Sequence, residues 1–299
     1  QIMAERPCFS GVLDGSAHDG LWQWAQRQYG LKGSWQTLWL NGLPLGRLNP
    51  QWGAQLKKDW PGAVGEDSDG LHLAGESLAA LGLSLQSTAC GWREAGVLRG
   101  WRGEYFDVCD EAGRPLFALE RAAFRPFGLL SRAIHLNGLT CRGGWRFWIG
   151  RRSADKAVDP NKLDNIVGGG VASGETALEA ALRESEEEAG LGAVLPDRLR
   201  RQSCLHSLRP VSRGLHNEIL HIFDVVLPPD FAPKNQDGEV AGFVLMDIPE
   251  LVEAMLAGEM MDDAQLVTLD AFRRYGLLKP QHPLSQWLES LRRHPQEAV

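Results

Sequence analysis

Residues 169–191 read GGVASGETALEAALRESEEEAGL, and this stretch decides the fold. Thr176 and Glu179 make a T-x-x-E capping box and Gly190 stands where a helix ends, so one helix between two loops is expected. At about 100° per residue, Leu178, Ala181, Leu182, Ser185 and Ala189 share one side, the expected core face. Glu184, Glu187 and Glu188 fall together on another side, at i, i+3 and i+4. Ala177 and Ala180 share that side one turn earlier, so nothing bulky stands over the carboxylates. Glu186 projects elsewhere and reads as solvated, while Arg183 precedes Glu187 by four positions and can pair with it. Three carboxylates in one turn repel one another, and they lie at the wrong end of the helix for its dipole. A divalent cation relieves that repulsion, and hard oxygen donors with small neighbours suit Mg²⁺ or Mn²⁺. The glycine run Gly168–Gly170 ahead of the helix lets backbone approach a ligand closely. Together these features describe metal-assisted attack on a polyphosphate.

Outward from this helix, RFWIGRR (146–152) and EILHIFDVVLP (218–228) read as strands. EVAGFVLMDIPELVEAM (239–255) reads as a strand running into a helix opened by Pro249, and DDAQLVTLDAFRRYGLL (262–278) as an amphipathic helix. Mixed in this order, they predict an α/β or α+β layered domain. The first half of the chain has another texture. Ten of the eleven tryptophans lie before residue 150, which sets the two halves apart in composition. WQTLWLNGLPLGRL (35–48) reads as a hairpin about Asn41-Gly42, and YFDV and PLFALE flank a turn at Asp110 to Gly113. ESLAALGLSLQ (76–86) reads as a short helix. The seam is expected around Phe124 to Leu130, giving a smaller α+β domain over residues 1–125 and a second domain over 126–299.

The 299 residues, 43% of them hydrophobic, suffice for two modest domains or one large one. A net charge of −7 argues against a broad nucleic-acid grip but leaves room for a local cationic pocket. No apolar run approaches the roughly 20 residues of a membrane span, and QIMAERPCFSGVLDG lacks the pattern of a secretory signal. The five cysteines are scattered without a CxxC pair, so neither a zinc knuckle nor a disulfide framework is indicated. A reducing, cytoplasmic setting and a small-molecule partner are the expectation; the oligomeric state stays open.

Residues 169–191 resemble the Nudix box, G-x5-E-x7-R-E-U-x-E-E-x-G-U, with U a bulky aliphatic residue. Gly169, Glu175, Arg183, Glu184, Glu187, Glu188, Gly190 and Leu191 fit it; Ser185 departs, standing where an aliphatic residue is usual. The resemblance implies an α/β/α sandwich with a mixed sheet and hydrolysis of a diphosphate. It further implies that Glu184, Glu187 and Glu188 bind metal or activate water and that Arg183 orients a carboxylate. Glu175 would support the box structurally, and the backbone carbonyl of Gly168 or Gly169 would add a metal ligand.

IGRRSADKAVDPNKLDNIVGGGVASGE, EYFDV with LFALERAAFRPFGLLSRAIHLNGL, and NQDGEVAGF are similar to one Nudix subgroup, the group related to thiamine pyrophosphokinase, which carries its own N-terminal domain. That resemblance implies thiamine diphosphate or its oxidised forms as substrate, released as monophosphate and phosphate. A nucleotide-sugar or dinucleotide pyrophosphatase is the alternative, and a non-catalytic ligand sensor on the same scaffold is a third reading. An acid outside the box is also expected in the site, Glu239 first and Glu218 second. Arg151, Arg152, Lys156 and Lys162 are candidates to meet phosphate charge, whereas His135, His216 and His221 read as structural.

Overall fold

The computed structural model describes residues 6–295; the ends of both expected domains, residues 1–5 and 296–299, lie outside the described residues. In chain order, the first half comprises α1 (Gly15–Gln28), β1 (Gln36–Leu40), β2 (Leu43–Leu48), α2 (Pro50–Asp59), β3 (Gly65–Asp67), β4 (Gly70–Leu73), α3 (Leu78–Glu94), β5 (Tyr105–Cys109), β6 (Pro115–Glu120) and α4 (Phe124–Phe127). The second comprises β7 (Ser131–Cys141), β8 (Trp145–Arg152), β9 (Leu163–Asn165), β10 (Val167–Gly170), α5 (Ala177–Ala189), β11 (Leu199–Val211), β12 (Gly214–Val226), β13 (Val240–Met246), α6 (Ile248–Leu256), α7 (Asp262–Arg274) and α8 (Pro283–Ser290).

Asn41 and Gly42 both take positive φ, 48° and 79°, which lets a two-residue turn join β1 to β2. These strands continue into a four-stranded sheet of order β2-β1-β4-β3, with β5 and β6 forming a separate hairpin. The helix α3 runs 17 residues, longer than expected, because Ser77 caps it and Leu81, Leu85, Ala89 and Trp92 carry a buried stripe along it. That stripe packs with Leu38, Leu71, Val108 and Phe127 into one core that closes at Leu129.

The second half builds a seven-stranded mixed sheet, β11-β12-β7-β8-β13, with β10 added on β7 and β9 on β8. The β7–β12 pair is parallel, and each of the others runs antiparallel. Strand alternation sends Ile134, Leu136, Phe223 and Val225 to the face under α5. Ala133, Leu220 and Ile222 face the opposite way, onto residues of α6, α7 and α8. Helices therefore cover both faces, the α/β/α arrangement expected.

Two expectations need correction. Leu21, Trp24, Ala25 and Tyr29, on α1 and just beyond it, pack with Phe147, Leu251, Phe272 and Leu288, so α1 shares the core of the second half. The wheel of α5 is also rotated. Leu178 and Leu182 are 50% and 41% exposed, while Ala177, Ala180 and Glu188 are buried with Ala181, Ser185 and Ala189. Beneath the helix, Ala177, Ala180, Ala181 and Ala189 pack with Ile134, Leu136, Phe223 and Val225 of the sheet, and Gly169 of β10 meets α5 at Glu184. Ser185 is wholly buried, and its hydroxyl has no partner among the described residues. Ser185→Ala should therefore raise stability by about 1 kcal/mol in urea unfolding, because it removes a dry, unsatisfied polar group. A loss of stability would mean that the hydroxyl is satisfied after all.

Candidate active site

Local rules hold the helix. Thr176 Oγ1 accepts from the Glu179 amide at 3.1 Å and Glu179 returns the bond to Thr176 at 2.8 Å, while Gly190 ends the helix at φ 62°. Glu186, expected to be merely solvated, accepts from the Gly192 amide at 2.8 Å and secures the turn that follows. Leu191 is fully buried beneath that turn.

Arg183 organises the acids. Its Nε and Nη2 donate to both oxygens of Glu175 at 2.8 and 2.9 Å, and its Nη1 donates to Glu184 at 2.7 Å and Glu187 at 3.3 Å. A planar fork serves these partners where an ammonium would not. Burial opposes the charge of Glu175, yet the bonds from Arg183 outweigh it and hold this carboxyl below its ordinary range. Arg183 is in turn locked as a cation, first by Glu175.

Glu184 and Glu188 face inward. A side chain on Gly169 would overlap the Glu184 carboxylate and displace it, so glycine leaves that carboxylate its place where helix and strand meet. Glu188 is 7% exposed and accepts from the Gly168 amide at 3.0 Å. Burial pushes Glu188 well above the usual carboxylate range, and Glu184, Asp164 and Glu239 push it further. Burial also raises Glu184, against the pull of Arg183 and with the repulsion of Glu187 and Glu239. Crowded carboxylates raised in this way are a donor set that fits a hard divalent cation. Glu187 stands further out, its side chain 49% exposed.

Of the two acids expected outside the box, Glu239 is the one brought to this cluster. It shares a small pocket with Glu188, Asp164, Arg152 and Lys156, and it is paired with Lys156. Burial works against its charge, but Lys156 holds it below the ordinary value. Glu218 is turned to the opposite face of the sheet, where it accepts from Ser131 Oγ at 2.6 Å. Arg152 donates to Asp164 at 3.2 Å and to the Val158 carbonyl. Arg151 lines the same pocket with its guanidinium on the Asn161 carbonyl, whereas Lys162 pairs with Asp159 at 3.7 Å and is not among the lining residues. His135 bonds Asn165, His216 bonds Asp263, and His221 lies against Arg201 and Cys204.

Asp164 and Asn165, which line the pocket of Glu188, escaped the sequence reading, and so did a residue of the first half. Asp107 of β5 is 8% exposed and accepts from Ser173 Oγ at 2.6 Å and from the Gly174 amide at 3.0 Å, and it pairs with Arg132 at 3.3 Å. The Tyr105 carbonyl accepts from the Ser173 amide at 2.8 Å. The hairpin of the first half thus holds the loop that leads into α5. The available signal was a carboxylate inside an apolar strand, EYFDV.

A family model described as NUDIX domain matches residues 135–269. Among curated proteins, the chain is similar to Nudix hydrolase 24, chloroplastic, of Arabidopsis thaliana, 37% identical over 191 residues that cover 63% of this chain and 52% of that protein. It is also similar to an uncharacterized Nudix hydrolase of Nostoc, 30% identical over 157 residues that cover 52% of this chain and 88% of that protein. A solved protein structure from Deinococcus radiodurans has 26% identity and a TM-score of 0.45, covering 56% of this chain and 98% of that one. The chain spans about half the length of the Arabidopsis relatives it matches.

Proposed function

Because the chain belongs to the Nudix family, we propose that it hydrolyses a diphosphate linkage at the acidic site of α5. The observation that carries this reading is the convergence of Glu188 and Glu239 with Arg152 and Lys156, anions and cations in one small pocket, with Glu184 near enough to raise Glu188. Glu184, Glu187 and Glu188, with the Gly169 carbonyl, would hold the metal. Mg²⁺ or Mn²⁺ held there would neutralise phosphate oxygens and lower the pKa of water. In the reaction a water oxygen bonds to one phosphorus, the bond from that phosphorus to the bridging oxygen breaks, its electron pair leaves with that oxygen on the departing phosphate, and the water proton passes to a carboxylate. Glu239, held ionised by Lys156, is suited to accept that proton. Arg152 and Lys156 supply cationic donors for the phosphates, and Arg151 adds charge at the rim. Arg183 and Glu175 keep the acids in place.

The substrate we propose is thiamine diphosphate or its oxidised derivatives, supported by the similarity of EYFDV, IGRRSADKAVDPNKLDNIVGGGVASGE and NQDGEVAGF to the thiamine pyrophosphokinase-related subgroup. The first half of the chain shapes the site through Asp107. Asp107→Ala should lower kcat/KM by roughly tenfold to a hundredfold, as loss of a positioning partner does, while Asp107→Asn, which keeps an acceptor, should lose less. Equal kinetics in all three proteins would release the hairpin from that role.

The reading as a whole is tested by a hydrolysis screen with Mg²⁺, products separated by chromatography, over thiamine diphosphate, its oxo and oxy forms, ADP-ribose, NADH and nucleotide sugars. Thiamine diphosphates should give the highest kcat/KM. A preference for ADP-ribose or a nucleotide sugar would overturn the substrate and leave the chemistry. Turnover of none would overturn both.

A further inference from the structure

A cavity of about 570 Å³ lies where β2 and the β5–β6 turn face β7, β11 and β12. That size is typical of small-molecule sites. Arg47, Arg132 and Arg293 line it with a single carboxylate, Glu111, in a chain whose net charge is −7. Arg132 is shared with Asp107, but neither Arg47 nor Arg293 makes an ion pair among the described residues. Leu130, Leu208 and Ile219 supply an apolar wall. The cavity has no lining residue in common with the pocket of Glu188 and Glu239, so it is a separate place on the molecule.

We propose that this cavity binds a phosphate ester carrying an apolar ring, with the phosphate on Arg47 and Arg293 and the ring against Leu208 and Ile219. Guanidinium groups without carboxylate partners present their donors to planar and tetrahedral anions alike, and an apolar wall beside them rewards an ester over free phosphate. His206 reports the local field. Its Nε2 donates to Asn217 at 2.6 Å, and its basicity is lowered first by burial and then by Arg293, His216 and Arg47. Arg132 places the ligand one ion pair from Asp107, which holds the loop before α5.

Calorimetric titration in EDTA keeps the metal-dependent site out of the measurement. Phenyl phosphate should bind the full chain at one site and more tightly than inorganic phosphate. Combining Arg47→Ala with Arg293→Ala should weaken phenyl phosphate by about tenfold or more with an unchanged melting temperature. If the double variant melts lower, Arg47→Ala alone makes the same comparison. No heat with millimolar phenyl phosphate, equal affinity in the variant, or equal affinity for phosphate and phenyl phosphate would overturn the proposal.

Discussion

Glu188→Gln should reduce metal-dependent turnover by about a hundredfold or more, the usual cost of removing a preorganised electrostatic group, while the metal-free protein melts no lower than wild type. The two halves of this expectation have one cause. Glu188 is buried beside Glu184, Asp164 and Glu239, and burial first and like charge second raise its carboxyl well above the ordinary value of 4.5. A carboxyl raised on folding contributes its stability below the unfolded value and loses it as pH rises through the folded one. In EDTA the wild type should therefore lose stability between acid and neutral pH, and the Gln variant should lose less. The amide oxygen still accepts from the Gly168 amide, so the fold keeps that bond. Rates are read as kcat/KM with Mg²⁺, and stability as melting temperature in EDTA at several pH values. Wild-type rates would remove Glu188 from the site. A variant much less stable at neutral pH would show that the buried charge is satisfied without metal. Function gained at the expense of stability is the common pattern for such groups.

The box was legible because everything that marks it is local. The capping box, the αL glycine and the spacing of Arg183 with Glu184, Glu187 and Glu188 lie within one helix and its two loops. What the helix rests on was not local. Leu178 and Leu182 look like core residues on any wheel, yet they are exposed because the sheet packs against the alanine side of α5, at Ala177, Ala180, Ala181 and Ala189. Glu239 and Glu218 had the same local description, an acid near a loop-to-strand junction. Sheet order separates them, since β13 pairs with β8 beside the box while the alternation of β12 turns Glu218 to the opposite face. The helix α1 had no clear reading in isolation. Its meaning comes from partners more than two hundred residues away, where Trp24 donates to Asp262 and Tyr29 to Asp263.

Asp263→Ala should cost about 3–5 kcal/mol in urea unfolding at neutral pH, the range for breaking a buried charged network from one side. The Asp263 carboxylate is 5% exposed and accepts from Tyr29 at 2.9 Å, Ser207 at 2.7 Å and His216 at 2.7 Å, with Arg209 Nε 3.8 Å away. It therefore joins α7 to β11, β12 and the end of α1. Burial works against its charge, but His216 and then Arg209 outweigh burial and hold the carboxyl well below the ordinary 3.8. A carboxyl depressed on folding stabilises above its unfolded value, and that stability is lost as pH falls through the folded value. Wild type and variant should thus differ most at neutral pH and converge in acid, with Asp263→Asn in between because it keeps one acceptor. The effect should also reach the site. Asn165, which lines the pocket of Glu188, is held by the Ala264 carbonyl and Thr268 of α7, so a loosened α7 moves a wall of that pocket. A variant within about 1 kcal/mol of wild type at neutral pH, or a gap that widens in acid, would show that α7 and α1 are held by their apolar contacts alone.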